Sequence, residues 1–359
     1  MADDRGIAES MVVWLSRTEI MTKSNVTIKD IAKKLNLHHT TVSRALRNHP
    51  DVNLQTRKLI LETARELSYH PNTFAANLRN RKSNVIGVIV PELSHDFFSS
   101  IVSEVTNEAD RYGYSVMICQ SNENVDQENN NISALICNRV AGVLACISQN
   151  TVSDAPFRSI IEAGIPLVFF DRVCMDLTTN KVIVDFYQGA CQVMDHLVEQ
   201  GYRRIAHISG PLEVIGVRER LQGYCDCLQQ NGLLIEEALI IPGGFLAENG
   251  VQAAEQLLAL PQRADAIFAV NDQVAIGAMN RLQQAGLRIP EDLAIVGFDN
   301  DKITAFTNPS LTTVDVQRAE IGKKCVEHLL AYLENRISQA EPRVEKIGTK
   351  LVVRASSRR

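Results

Sequence analysis

The sequence predicts an α/β protein, with an N-terminal helix-turn-helix head followed by a two-lobed body on parallel sheets. Three observations carry this. Residues 27–46, TIKDIAKKLNLHHTTVSRAL, read as two short helices around a tight turn. From residue 84 onward, β-rich apolar runs alternate with amphipathic helical stretches. Charge is divided unevenly along the chain. Residues 21–82 hold twelve Lys/Arg against four acids, a net +8 in a chain whose total is −5, which leaves −13 on the rest. A basic module on an acidic body is the electrostatic footprint of a nucleic-acid binder.

Thr27 followed by Asp30 has the form of a capping box opening a helix over 28–35. Asn36 then takes the turn, where a left-handed residue is needed and Asn is the best substitute for Gly. A second helix is expected over about 39–47. Val42, Ala45 and Leu46 make its buried stripe, and His39, Thr40, Ser43, Arg44 and Arg47 fall on the other face. Asn53 can cap a third helix over 54–67, with Ile60, Ala64 and Leu67 turned inward.

Residues 1–25 form an N-terminal extension. Met21 stands just ahead of the head, so translation is expected to start there and leave out residues 1–20, which contain the only tryptophan, Trp14. The short apolar run of this segment follows acids rather than a basic region, so it does not read as a signal peptide. No apolar run is long enough to span a bilayer. Eight cysteines lie scattered without C-x-x-C spacing, mostly in apolar runs, which suits reduced thiols in a cytoplasm and argues against a zinc site. No metal or cofactor is expected.

In the body, strands are expected over 85–90, 115–119, 141–147, 167–170, 205–208, 267–270 and 293–296. That is more than one sheet holds comfortably, so two α/β lobes with a cleft between them are the economical arrangement. Ligands of open parallel sheets lie beyond the carboxyl ends of the strands. Asp171 after LVFF, Asn271 and Asp272 after IFAV, and Asp299 after IVGF all occupy such ends. Singly, each would be a turn or cap residue; together they form a constellation. Arg218, in GVRERLQGY, begins a helix and can reach the same cleft. No catalytic motif survives inspection: a dinucleotide fingerprint, Walker loop, nucleophile elbow and H-E-x-x-H are all absent, so the chain is not expected to be an enzyme.

The motifs TIKDIAKKLNL, TVSRALRN, VNLQTR and LSYHPN, in that order, resemble the LacI/GalR family of bacterial transcription regulators, and the likeness continues to Arg354–Ser357. Two positions depart from the pattern: Asn36 replaces the usual turn glycine, and His38 stands where a capping serine is common. The resemblance implies a helix-turn-helix domain over 26–71, a hinge helix over 72–83, and a ligand-binding and dimerisation body over 84–359. It implies the arrangement of periplasmic sugar-binding proteins for that body, with crossovers near Val184, Asp315 and Pro342. His39, Thr40 and Arg44 would meet base edges, while Thr27, Ser43 and Asn53 would hold phosphates or caps. Thr41, Tyr69, Asn72 and Ala75 complete the DNA-facing set. Leu78 would enter the minor groove from a helix opened by Pro71. Arg218, Asn271 and Asp299 would contact ligand, Phe245 would supply an aromatic platform, and His95, Phe97 and Phe98 would line the other side. The implied protein is a cytoplasmic, nucleoid-associated homodimeric regulator, expected to be a repressor. Its partners would be a pseudo-palindromic double-stranded operator and a small-molecule effector. A sugar or sugar phosphate is favoured for the effector. A purine or nucleoside remains an alternative, as does a soluble sugar-binding protein without DNA function.

Overall fold

The computed structural model describes residues 26–46, 48–67, 69, 83–334 and 342–359. The expected N-terminal extension, Arg47 and the hinge residues Asn72, Ala75 and Leu78 lie outside the described residues. The chain divides into two compact units, residues 1–81 and 82–359.

The head contains α1 (Ile28–Leu35), α2 (His39–Leu46) and α3 (Leu54–Glu66). The Asp30 carboxylate accepts from the Thr27 amide at 2.8 Å and its hydroxyl at 2.7 Å, fixing the start of α1. Asn36 ends it in the left-handed region at φ 50°. The Asn53 side chain accepts from the Thr56 amide at 2.8 Å and opens α3. Ile31, Val42, Ala45, Val52, Ile60 and Ala64 form one small core, with Leu46, Leu67 and Tyr69 packed against it. Burial of these side chains, not propensity, must hold three helices of this length together.

The body begins with β1 (Val85–Val90), α4 (Asp96–Arg111), β2 (Ser115–Gln120), α5 (Val125–Cys137), β3 (Gly142–Ala145), α6 (Ala155–Glu162), β4 (Leu167–Phe170) and β5 (Asn180–Val184). The chain then crosses into a second lobe. This holds α7 (Phe186–Glu199), β6 (Ile205–Ile208), α8 (Ile215–Gln230), β7 (Ile240–Ile241), α9 (Ala247–Leu258), β8 (Ala266–Ala269), α10 (Asp272–Gln284), β9 (Ala294–Val296) and β10 (Thr313–Asp315). It returns through α11 (Arg318–Leu333) to β11 (Val344–Ile347), and passes back to β12 (Lys350–Val352).

The first sheet is six-stranded, in the order β11-β5-β4-β3-β1-β2; the second has four strands, β7-β6-β8-β9. All pairs within both are parallel, while β10 and β12 form a separate antiparallel pair. The buried strands β3, β4 and β8 are apolar throughout, as strands covered on both faces tend to be, and β6 is broken only by the buried His207.

The crossovers near Val184 and Asp315 stand where expected. The third does not fall near Pro342. Residues 344–347 first pair in parallel with β5, so the chain leaves the first lobe only at Gly348 and Thr349. The sequence VEKI hides this edge strand, because its side chains are largely exposed and two are charged. A lysine likewise interrupts β5: Lys181 is buried, and its Nζ donates to the Leu177 carbonyl at 2.6 Å.

Candidate functional site

The outer face of α2 carries the exposed side chains of His39, Thr40 and Arg44, with Thr41 and Ser43 half-buried beside them. Among the described residues Arg44 makes a long ion pair to Asp51, 3.9 Å, and its side chain is largely exposed, so its guanidinium can reach outward. His38 fills the departure from the usual capping serine. Its Nδ1 lies 2.8 Å from the Thr40 hydroxyl and accepts from the Thr40 amide at 3.4 Å. The ring therefore does the work of a cap oxygen, and its neighbour His39 packs 4.3 Å away, centroid to centroid. Thr27 and Asn53 are engaged as caps, and Tyr69 is half-buried with its amide donating to the Ala64 carbonyl.

The body contains a cavity of about 800 Å³ at the carboxyl ends of strands from both sheets. His95, Phe97, Phe98, Asp171, Arg218, Phe245, Asn271 and Asp299 all line it. Its volume falls in the range of small-molecule sites, roughly 300–1,000 Å³.

Asp171 follows β4 with φ 57°, and Asp299 lies beyond β9 with φ 105°. Non-glycine residues adopt these angles at a cost, and such outliers gather at binding sites. Backbone bonds pin both: the Asp171 amide donates to Val182 and the Asp299 amide to Val314. Asn271 caps α10 by accepting from the Val274 amide at 2.9 Å, while its Nδ2 donates to the Phe245 carbonyl at 3.0 Å. Its side chain thus positions the Phe245 loop. Gly210 permits the approach, since a Cβ there would lie 3.1 Å from the Phe245 ring. His95 precedes α4 and its Nε2 pairs with Glu92.

The two arginines of the helix-opening motif part company. Arg218 is exposed at the rim, and its Nη1 donates to the carbonyls of Leu212, at 2.6 Å, and Glu213, at 3.0 Å. Arg220 is buried. Its guanidinium lies 4.4 Å from the Phe186 ring centroid and 4.8 Å from that of Phe298, and its Nε and Nη1 have no hydrogen-bond partner among the described residues. Arg220 was not singled out from the sequence, yet it carried a signal. Val217, Arg220, Tyr224 and Cys227 are all buried on one helical stripe, so an arginine occupies a core position.

Arg172 is a second residue the sequence reading passed over. It pairs with Glu123 at 2.7 Å, and its guanidinium carbon lies 5.8 Å from the Phe98 centroid and 5.3 Å from that of Phe245. The platform expected at Phe245 is therefore already shared with a cation.

Electrostatics follow from this enclosure. Burial pushes the Asp299 carboxyl up to about 8, against the pull of Arg220. Burial raises Asp171 as well, opposed by Arg172 and Arg220, and lowers Arg220. Asp272, fully buried behind them, is held well above the usual carboxylate range by desolvation. It accepts from the Thr313 hydroxyl at 2.6 Å and the Asp301 amide at 2.7 Å.

A helix-turn-helix unit and a two-lobed body with a polar cleft, in one chain, define a class: DNA-binding regulators that respond to a small molecule. Residues 27–72 match the family described as bacterial regulatory proteins, lacI family, and residues 194–357 match the periplasmic binding protein-like domain. The HTH-type transcriptional repressor CytR of Escherichia coli (strain K12) is 35% identical over 335 residues, 92% of this chain and 96% of that protein. Among solved structures, the Lac repressor dimer bound to operator and the anti-inducer ONPF has a TM-score of 0.84 at 28% identity, covering 94% of this chain and 100% of that one. A complex of the transcriptional regulator CelR with cellobiose has a TM-score of 0.71 at 28% identity, covering 92% and 99%. The chain belongs to the LacI family. It is a sequence-specific, non-enzymatic DNA-binding regulator whose activity an effector modulates. No helix among the described residues is long and apolar enough to cross a membrane.

Proposed function

We propose that the protein is a homodimeric repressor acting in the cytoplasm, which reads a pseudo-palindromic operator and responds to a sugar-like effector bound between the lobes. A two-fold protein reads a two-fold site, one recognition helix per half. His39, Thr40 and Arg44 read bases, and Thr41, Ser43, Tyr69 and Asn72 contact the backbone. Leu78 wedges into the minor groove, and Ala75 belongs to the same DNA-facing set.

The buried Arg220 guanidinium carries the effector reading. Two of its nitrogens lack partners, and leaving such groups unpaired in an enclosed site costs about 1–3 kcal/mol each. Hydroxyl and ring oxygens of a ligand satisfy them, with Asp171 and Asp299 beside them to bind further hydroxyls. The cellobiose held by CelR supports a sugar. A base-bearing effector is the second reading, favoured by the four phenylalanines Phe97, Phe98, Phe186 and Phe245 along the cavity. Ligand and operator are then coupled through the lobes, by about 1–3 kcal/mol if typical.

The test is anisotropy with labelled operator fragments selected from genomic DNA, with and without candidate sugars and nucleosides. Arg220→Ala should keep operator affinity and lose the response. A normal response in that variant refutes the cleft assignment.

A further inference from the structure

We propose that Asp96 and Arg318 are positioning residues for the effector response, joined in an ionic junction that ties the two lobes together beside the cleft. This rests on the cleft being the effector site and assigns a part to side chains that do not line it.

Asp96 and Arg318 are the first residues of α4 and α11. The two helices pack closely: a Cβ on Gly322 would meet the Ile101 carbonyl at 3.0 Å. Their opening side chains pair at 3.1 Å. Together they grip residues 300–302 of the second lobe. Arg318 Nη1 pairs with Asp301 at 3.0 Å, and its Nη2 donates to the Asn300 carbonyl at 2.6 Å. The Asp96 carboxylate accepts from the Lys302 amide at 3.3 Å and pairs with the Lys302 Nζ at 3.2 Å. Burial alone would raise the Asp96 carboxyl, but Lys302 and Arg318 outweigh it and hold it below the usual carboxylate range.

The junction touches both walls of the cleft from behind. Asp96 stands between His95 and Phe97, which line the main cavity, yet it lines a second cavity of about 420 Å³ together with Lys302 and Arg318. On the opposite wall, Asp301 follows Asp299 by two positions. The turn they share is fixed to its own lobe, since Arg354 Nη2 donates to Asn300 Oδ1 at 2.8 Å. It therefore travels with that lobe. Any change in the separation of the walls makes or breaks the contacts of residues 300–302 with Asp96 and Arg318.

Arg318 and Asp301 are nearly buried, and either one left unpaired there would be a costly charge. Lys302, by contrast, is exposed, and the second cavity adjoins the whole group, so water reaches these side chains once they part. The junction thus favours one spacing of the lobes without fixing it permanently. A ligand that binds the two spacings unequally shifts the balance.

The test places spin labels, by non-cysteine chemistry, at the exposed Ser133 on α5 and Gln229 on α8, one on each lobe. Pulsed electron resonance then reads the interlobe distance in the full chain, diluted with unlabelled chain. With no ligand added, Asp96→Asn should populate a displaced distance that the wild type lacks, and Asp96→Glu should largely restore the original. Lys302→Met, at an exposed side chain, should repeat the shift and guards against a folding defect at Asp96. On the same proteins, operator anisotropy is titrated with a low-molecular-weight bacterial metabolite extract. The extract level giving half its effect should rise roughly tenfold in Asp96→Asn, as the binding-competent spacing becomes a minority. Identical distances in all four proteins overturn the proposal, and so does a displaced distance with an unchanged extract midpoint. If Arg220→Ala loses the response while Asp96→Asn keeps it, the junction is refuted and the cleft stands. A normal response in Arg220→Ala, or none in the wild type, refutes the cleft reading and this proposal with it.

Discussion

His38 caps the helix that carries Thr40: its Nδ1 lies 2.8 Å from the Thr40 hydroxyl and 3.4 Å from the Thr40 amide nitrogen. An imidazole acceptor thereby replaces the serine oxygen usual at such a position, and the start of the recognition helix is preserved. His38→Ala should destabilise the head by about 1 kcal/mol, and His38→Ser should recover most of that. Thermal melts followed by circular dichroism of the full chain, with the head's transition resolved, check it. Equal melting of all three proteins would remove the capping role.

Arg44 stands exposed and almost unpaired on α2. Arg44→Ala should weaken operator binding by about 1–3 kcal/mol and relax preference at one base position. Competition among operators substituted at single positions measures both. Wild-type affinity should also fall steeply with salt, because phosphate neutralisation releases counterions. An unchanged base preference would exclude base contact by Arg44, and a flat salt curve would contradict the basic head.

Asp299 links acidity to stability. Its carboxyl titrates at about 8 in the folded protein against 3.8 when exposed. Between those values the folded state holds a proton that the unfolded chain has lost. The group therefore reduces stability progressively as pH rises from 3.8 to about 8. Asp299→Asn removes that slope, so the variant should gain stability relative to wild type as pH rises. Urea midpoints at pH 5, 6, 7 and 8, on the order of this window, provide the comparison. Parallel pH curves for the two proteins would show that Asp299 does not titrate there. Effector response should be lost in the same variant.

Helices α9 and α10 touch through glycines. A Cβ on Gly277 would overlap the Ala247 carbonyl, and one on Gly250 would overlap the Val274 carbonyl. Both obstacles are backbone, which cannot swing aside. Gly277→Ala should cost about 1–3 kcal/mol or more from overpacking, read as a lowered denaturation midpoint. A midpoint at the wild-type value would mean the helices part without penalty.

The head was almost fully legible from sequence, because its caps and buried stripe are local: Thr27, Asn36, Asn53, Val42 and Ala45 sit in the roles their spacing implies. The strands β1 and β4 were equally plain, being unbroken apolar runs at their read boundaries, and β6 was read at its bounds despite His207. Strands β5 and β11 were not, since Lys181, Glu345 and Lys346 break the apolar pattern for reasons visible only in three dimensions. The cleft was legible at strand ends, where Asp171, Asn271 and Asp299 meet. The choice between Arg218 and Arg220 was harder. Arg218 and Arg220, two positions apart on one helix, point about 200° apart, so only the burial stripe tells the rim arginine from the inner one.

The six-stranded sheet ends on a strand supplied late. The Arg343 amide, just before β11, donates to Oδ1 of Asn180, the first residue of β5, across 163 positions of chain. During synthesis, that edge stays open while the second lobe as far as β10 emerges from the ribosome. A nascent chain halted before residue 344 carries an unmatched strand edge that invites aggregation.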